Sequence, residues 1–577
     1  MNRLFPQSVL MLFAAALLVT AFTGCTDDLS SLSEPANQVE SPAITNNAKF
    51  RHAKFVRRAM RKRVGKDGEE DYLGLIVSVN NAAQLDKVIE RMKTLERYKI
   101  LERYTYDEVF DGIAVEITDS LANPDYSSFL QSLLSDPDVQ WIEPDMTVEL
   151  PPASSADAGS GQTIPWSVAA IGGQDTWTHS GDGSGSVDVD VYILDTGVSN
   201  DDVNVVEHRD RRNPSVNDPA DYDGHGTHVA GIAAAIDNAI GVVGVAPGAR
   251  VHNFKVLNDD GTAPTSVVLE AVEELLSRKL ANPSTPMVAN LSLGENVETT
   301  DFTALDDAVQ AAIDAGVVMV VAAGNWGMDA SVISPAHVPD VITVGASDMS
   351  AKFTDFSNYG AFIDIVAPGQ NIISLAPSTM TAEKAEMSGT SMAAPHVTGA
   401  VALYLAKHPN ATAAQVRDAL VTSSMDVVRN QPSNTTSNLL WLGNQVENPG
   451  FKQGKSNWWS NVDPYFESMG GGDKAARLSS GNTLAQSFPA TAGTTYRANI
   501  SYKVEGAPSW AGYGFDYRDA NGNEISESVA SFNKLQLSYG DLELTGTAPE
   551  GTKSISLWIT TNGWGKLYVD NVEVYAQ

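Results

Sequence analysis

The sequence predicts an α/β protein: a mostly parallel sheet flanked by helices, preceded by a small α+β domain and followed by a β-sandwich of jelly-roll type. Three observations predict it. Across residues 162–430, short continuous apolar runs alternate with amphipathic helical segments, the pattern of strands buried on both faces of a parallel sheet. Across 440–577 the pattern changes to short strands split by Gly, Asn and Asp turns, as in a sandwich. The chain has 577 residues, more than one hydrophobic core serves.

The first 25 residues hold a basic start at Arg3, an apolar run and small residues before Cys25. That is the pattern of a secretory signal, not of a membrane span. Cys25 is the single cysteine, so no intramolecular disulfide can form. The segment resembles a bacterial lipoprotein signal, with Phe22 where Leu is usual. The resemblance implies that Cys25 becomes lipidated, that the precursor is held to a membrane, and that the protein reaches the cell surface or is secreted. Residues 26–70 read as a tether rich in Ser, Asn and Pro followed by a basic stretch. Its core, residues 49–66, holds nine Lys and Arg and reads as a solvated linker or helix face, with anionic lipid contact as the alternative.

Residues 71–150 read as the small α+β domain. "YLGLIVSV" and "GIAVEI" are strands, "AAQLDKVIERMKTL" and "YSSFLQSLLSD" are helices, and "VQWIEPDMTVEL" is one final strand. Residues 151–161, "PPASSADAGSG", are small and turn-rich, a cleavable junction. Residues 162–435 form the parallel-sheet domain. Its strands are "DVDVYILDTG", "ARVHNFKVL", "VANLSLG", "VVMVVAAGN" and "DVITVGAS"; its helices are "HVAGIAAAI", "SVVLEAVEELLSRKL", "ALDDAVQAAIDAG" and the run after "MSGTS". In such sheets chemistry gathers at the carboxyl ends of strands. Residues 440–577 form the sandwich. The net charge is −33, which argues against a nucleic-acid partner.

Four polar residues stand where strands end or helices begin. Asp195 closes "VYILD" and is placed to orient an imidazole. His225 sits between glycines in "DGHGTHVAG". Asn325 ends "VVMVVAAGN", where an amide donates to an oxyanion. Ser391 opens a helix, where the local dipole favours developing negative charge. His228, three residues after His225, suggests a metal pair, but a third ligand is missing and no H-E-x-x-H spacing occurs. His228 and His396 read as packing residues. Together "DTGV", "DGHGTHVAG", "NLSLG", "VVAAGN" and "SGTSMAAPHVTG" resemble the subtilisin-like serine proteases across residues 162–430.

That resemblance implies an endopeptidase acting on proteins or peptides, with Asp195, His225 and Ser391 as triad and Asn325 as oxyanion donor. It implies a substrate cleft between two edges, Ser292, Leu293 and Gly294 on one side and Gly261, Thr262 and Ala263 on the other, with Trp326 at the rim. Pro395 is expected to fall so early in its helix that its missing N–H is not needed. "FDGIAVEI" and "DPDVQWIEPD" resemble the propeptide inhibitor of the family, implying a self-inhibited zymogen whose last strand, "TVELPP", lies in the groove. "GQTIPW" and "AIDNAIGVVGVAPGARV" resemble the family's Ca²⁺ site. They imply Gln162, Asn238, the carbonyls of Ile236, Ile240 and Val242, and a carboxylate taken as Asp202 over Asp201, an all-oxygen set suited to Ca²⁺. The last domain resembles carbohydrate-binding modules of galactose-binding-like fold, with Trp458, Trp459, Trp510 and Trp564 as stacking candidates for a sugar. The rival reading is a surface adhesin that uses an inactive protease scaffold.

Overall fold

The computed structural model describes residues 48–150, 161–442 and 459–576, short breaks such as 53–55, 120–125, 213–216 and 461–464 aside. The signal segment with Cys25, most of the tether, residues 151–160 of the junction, and Trp458 and Trp564 lie outside the described residues.

The N-terminal unit runs β1 (Met60–Gly65), β2 (Gly68–Val79), α1 (Ala82–Lys93), β3 (Tyr98–Tyr106), β4 (Gly112–Asp119), α2 (Ser127–Ser135), β5 (Val139–Pro144) and β6 (Thr147–Glu149). Its antiparallel sheet has the order β1-β2-β4-β3, with β5 also pairing with β2. Alternate residues of β2 (Leu73, Leu75, Val77) meet Val88, Ile89 and Met92 of α1 and Phe129, Leu130 and Leu133 of α2 in one core.

Three features differ from the sequence reading. The basic stretch is not wholly a solvated linker or helix face, because β1 lies in it and pairs with β2 from Met60↔Leu73 to Gly65↔Gly68. Strand pairing uses backbone groups, and Lys and Arg are common on edge strands. β3 was not expected, since its burial alternates only near its end. "VQWIEPDMTVEL" is two strands: the chain breaks at Asp145–Met146, and β6 leaves its own sheet to pair with β10 below.

The second unit holds α3 (Trp166–Ala170), β7 (Asp190–Asp195), β8 (Val205–Asp210), α4 (His225–Ala234), β9 (Arg250–Lys255), β10 (Thr262–Pro264), α5 (Thr265–Ala281), β11 (Met287–Leu291) and β12 (Glu295–Asn296). It continues with α6 (Ala304–Ala315), β13 (Val318–Ala322), β14 (Ile333–Ser334), β15 (Ile342–Ser347), β16 (Ile365–Pro368), β17 (Ile372–Leu375), β18 (Lys384–Met387), α7 (Thr390–Lys407), α8 (Ala413–Ser423), β19 (Met425–Asp426) and β20 (Asn438–Leu439). Its main sheet has the order β19-β20-β16-β15-β13-β11-β7-β9-β8. Every pair is parallel except β19 with β20. β11 and β13 are buried at every residue, as strands covered on both faces must be. The strand order reverses at β7, with β9 and β8 on one side and β11 onward on the other, so the carboxyl end of β7 borders a switch-point crevice. Asp195 is that end. Helix α4 packs against α7, and α5 against α6.

The C-terminal unit is two five-stranded antiparallel sheets. One has β21 (Trp459–Ser460), β24 (Thr483–Pro489), β29 (Ser554–Gly563), β26 (Pro508–Arg518) and β27 (Glu524–Phe532) in that spatial order. The other has β22 (Tyr465–Gly470), β23 (Asp473–Leu478), β30 (Lys566–Ala576), β25 (Thr495–Glu505) and β28 (Gln536–Thr547). Their inward residues, Phe515, Leu557 and Ile559 from the first and Ala498, Ile500 and Val569 from the second, share one core. Among the described residues no helix is long and apolar enough to cross a membrane.

Candidate active site

The strand end and the α4 start bring Asp195 and His225 together. His225 Nδ1 lies 2.8 Å from Asp195 Oδ1, and both side chains are buried. The close approach needs glycine. A Cβ on Gly226 would sit 2.2 Å from the Gly197 carbonyl oxygen and 3.0 Å from Asp195 Cβ. Burial pushes the His225 ring towards its neutral form, but the Asp195 carboxylate, with Asp223 and Asp221 adding to it, outweighs burial and holds its pKa above the usual imidazole value. Asp221, which the sequence reading passed over, braces this turn. Its Oδ1 accepts from Thr196 Oγ1 (2.9 Å) and Gly224 N (2.8 Å). Its Oδ2 accepts from Thr227 N (2.9 Å) and Thr227 Oγ1 (2.6 Å). The signal was available as an aspartate just ahead of a glycine-rich helix start, a capping position.

Ser391 is the second residue of α7 and is buried. Its hydroxyl does not rest on the His225 ring. It donates to the Ser292 carbonyl oxygen (3.1 Å), and His225 Nε2 is buried without a hydrogen-bond partner. Catalytic hydrogen bonds in unliganded sites are often long or unformed. The expectation for Pro395 is corrected here. Pro395 is the sixth residue of α7, where a backbone N–H would bond the Ser391 carbonyl. The orphaned carbonyl instead accepts from Ser292 Oγ (2.8 Å). Ser292 Oγ in turn accepts from Asn290 Nδ2 (2.9 Å), and Asn290 Oδ1 accepts from Thr398 Oγ1 (2.8 Å). This buried chain ties α7 to β11 and sets the height of Ser391.

Asn325 reaches the same place from the end of β13. Its Oδ1 accepts from Thr390 N (2.8 Å) and Thr390 Oγ1 (3.1 Å). A backbone N–H can only donate, so it selects the oxygen end of the amide and leaves the NH₂ end as the donor. Asn325 lines a cleft of about 220 Å³ with Ser292, Leu293, Gly294, Trp326, Thr390 and Ser391. Trp326 is 49% exposed. Its ring lies where a side chain on Gly324 would be, within 2.7 Å of that Cβ position.

The two expected edges flank one strand. β6 pairs antiparallel with β10 through Thr262↔Glu149, Ala263↔Val148 and Pro264↔Thr147, and Glu149 bridges to Gly294 on its other side. Leu150 N donates to Gly261 O (3.1 Å), and Glu149 and Leu150 line the cleft. Acidic side chains of the N-terminal unit cap two helices. Asp145 accepts from Ser266 N (2.9 Å) and Ser266 Oγ (2.8 Å) at the start of α5. Glu143 accepts from Ala304 N (3.2 Å) at the start of α6, and burial, with Glu295 close by, pushes its carboxyl well above the usual range. Arg51 adds an ion pair with Asp307 of α6 (2.7 Å) while lying 4.2 Å over the Trp141 ring.

The residues suggested for Ca²⁺ gather at one loop. Gln162 N donates to Ala239 O (3.0 Å) and Gln162 Nε2 to Ile236 O (3.2 Å). Asn238 Nδ2 donates to Asp202 Oδ1 (2.6 Å), and Asn238 Oδ1 accepts from Ile240 N (2.8 Å). Thr163 bridges to Val242. Asp202 is 2% exposed, and its Oδ2 is buried without a partner. Asp201 is exposed. Burial pushes the Asp202 carboxyl up to about 6. A buried carboxylate oxygen without a hydrogen-bond partner fits a hard cation. Among the described residues no cluster of three or more His, Cys, Asp or Glu side chains offers a metal site.

His228 is not a ligand: Nε2 faces the carbonyls of Ile372 (3.0 Å) and Ala385 (3.1 Å), and burial lowers its pKa to about 3. His396 Nδ1 lies 2.8 Å from Met392 O, and burial lowers its pKa to about 4. In the sandwich, Trp459 and Trp510 fall on β21 and β26.

A parallel α/β sheet with a buried Asp–His pair at a switch point and a serine at a facing helix start defines a hydrolase of the serine class. The model of the Subtilase family matches residues 111–447. The chain is 37% identical over 336 residues to an extracellular serine proteinase of Thermus sp. (strain Rt41A), spanning 56% of this chain and 74% of the relative. It is 39% identical over 262 residues to subtilisin BL of Lederbergia lenta, spanning 45% of this chain and 90% of the relative. A solved cold adapted subtilisin-like serine proteinase is 35% identical, covering 48% of this chain and 98% of that one, with a TM-score of 0.42. The chain belongs to the subtilase family and is a serine endopeptidase. The reading as an inactive scaffold therefore falls away.

Proposed function

We propose that the protein is a secreted endopeptidase made as a self-inhibited zymogen, in which Asp195, His225 and Ser391 carry the chemistry. The observation that supports this most is the buried 2.8 Å Asp195–His225 contact beside a helix-start serine. His225 Nε2, the open acceptor, takes the Ser391 proton as Oγ attacks the scissile carbonyl. Asp195 holds the ring and stabilises the imidazolium. The Asn325 NH₂ and the Ser391 N–H receive the oxyanion. His225 then gives its proton to the leaving amine, and water hydrolyses the acyl-enzyme. A peptide substrate lies between Gly261–Ala263 and Ser292–Gly294 as an added strand, the place that β6 takes in the precursor.

In this reading, residues 71–150 with the β1 hairpin are the inhibitor, 151–161 the cut junction, 162–435 the peptidase and 440–577 a carbohydrate-binding domain. The precursor is held to a membrane through Cys25, and no nucleic acid is a partner. Gln162, Asp202, Ile236, Asn238, Ile240 and Val242 would hold a structural Ca²⁺, whose charge would balance the buried Asp202 carboxylate. Expression of wild type beside Ser391→Ala tests the whole. Casein hydrolysis and loss of the N-terminal unit are both expected in wild type only. Processing of Ser391→Ala at the wild-type rate would show that another protease makes the cut.

A further inference from the structure

We infer that the outer face of the sheet β21-β24-β29-β26-β27 is a binding site for an uncharged polysaccharide, with Trp558 as its platform. The inference deepens the reading of the last domain as a carbohydrate-binding module and rests on it. It centres the site on Trp558, which was not among the stacking candidates, with Trp459 in the same row of the sheet and Trp510 on the neighbouring strand β26.

The strand register lays the face out as a grid. Leu557 and Ile559 of β29 point into the core, so Ser556, Trp558 and Thr560 point outward. Trp558 pairs with Ala485 on β24 and with Gly514 on β26, and beyond Gly514 stands Val529 on β27. The flanking residues are thus the two smallest side chains available. A Cβ on Gly514 would lie 2.7 Å from Trp558 Cζ2, so the indole occupies the space over the glycine, and the row runs on to Val529 of β27 at one end and to the register position of Trp459 on β21, opposite Ala485, at the other. The ring is fixed in place, since its Nε1–H donates to Asp516 Oδ1 (2.7 Å). One grid row further, Ser487, Ser556, Asp516 and Glu527 stand in line, and Arg518 faces Glu524 in the row after. Arg518 Nη2 donates to Asp516 Oδ2 (3.2 Å). Together these residues line a cleft of about 730 Å³, within the ~300–1,000 Å³ usual for small-ligand sites.

The chemistry selects among occupants. A wholly apolar ligand would strip water from Asp516, Glu527 and Arg518 without return. A polyanion meets three carboxylates against one guanidinium, on a chain of net charge −33. A pyranose ring suits both halves. Its C–H face lies against the electron-rich indole face, and its hydroxyls donate to Asp516 and Glu527 and accept from Arg518. Several rings in a row match an open cleft that crosses four strands, β24, β29, β26 and β27.

Affinity electrophoresis of the full chain in a Ser391→Ala background, through gels holding soluble β-glucan, xylan or dextran, tests the site, with dextran sulfate as the charged control. At least one uncharged polymer should retard the protein. Trp558→Ala should weaken that retardation roughly tenfold or more, Trp558→Phe should keep part of it, and the exposed Glu527→Gln should weaken it severalfold with no change in melting. Retardation of Trp558→Ala and Glu527→Gln equal to that of the parent would place sugar binding elsewhere and overturn the site while leaving the carbohydrate reading standing. Retardation by dextran sulfate alone would overturn the uncharged ligand. No retardation in any gel would remove the carbohydrate reading and the site with it.

Discussion

Replacing Asp195 by Asn isolates what the buried carboxylate does for His225. Asp195 Oδ1 accepts from both His225 Nδ1 (2.8 Å) and Thr196 N (2.7 Å). An amide that keeps its oxygen on Thr196 N–H can face the ring only with that same oxygen or with its NH₂ end. The NH₂ end would force Nδ1 to be the acceptor and put the proton on Nε2, the wrong tautomer for a base. The charge is lost in either case. In comparable triads this change costs about 10⁴ in turnover, which is about 5 kcal/mol of transition-state stabilisation at 1.36 kcal/mol per tenfold. The pH profile is the second readout. In the wild type burial lowers the His225 pKa, and Asp195 together with Asp223 and Asp221 more than offsets it. Without the carboxylate burial prevails, opposed only by the more distant Asp223 and Asp221. The base must be neutral, so the wild-type acid limb of kcat/KM should lie above the ordinary value near 6.5, and the Asp195→Asn limb should move down while the plateau falls. Both are read from peptide hydrolysis between about pH 5 and 9. A loss under tenfold, or an acid limb that stays where it was, would refute the assignment of Asp195.

Asn325→Ala should lower kcat by roughly a hundred- to a thousandfold with KM nearly unchanged, because the oxyanion forms only near the transition state; a rise in KM at constant kcat would contradict this. Asp145→Ala removes two hydrogen bonds at the start of α5, about 1–2 kcal/mol by the usual cost of a lost cap, so activity should emerge from the precursor with a shorter lag. Chelator should lower the melting temperature of the mature enzyme and excess Ca²⁺ restore it, as for any ligand of the native state alone. Identical melting curves from metal-free protein in both would remove the proposed site. Cys25→Ala should shift the precursor from the membrane to the soluble fraction, and wild-type precursor that is equally soluble would end the anchor reading.

The sheet domain was legible because its strands are short, continuous and apolar and its helices amphipathic, so local pattern and buried environment agree. Asp195, His225, Asn325 and Ser391 were legible because each stands at or just past a strand end or at a helix start inside a distinctive small-residue motif. What was missed depends on contacts between distant residues. β1 is charged and β3 alternates poorly, and both are strands because β2 and β4 offer free edges to pair with. The role of Ser292 under Pro395 spans 99 residues, and nothing within "NLSLG" signals it. The split of "VQWIEPDMTVEL" at Asp145 reflects a helix start 121 residues away.

The strand β6, held on both sides in the cleft, also acts through concentration. In the proposed precursor it is joined to the peptidase through the short segment 151–161, and a join of that length would keep it at an effective concentration in the millimolar range. No substrate at micromolar level competes with that. The proposed cut need not alter the pairing of β6 with its two neighbours, yet it would turn a unimolecular equilibrium into a bimolecular one. From then on the fraction of free enzyme depends on volume, so release into a large extracellular space would itself complete activation.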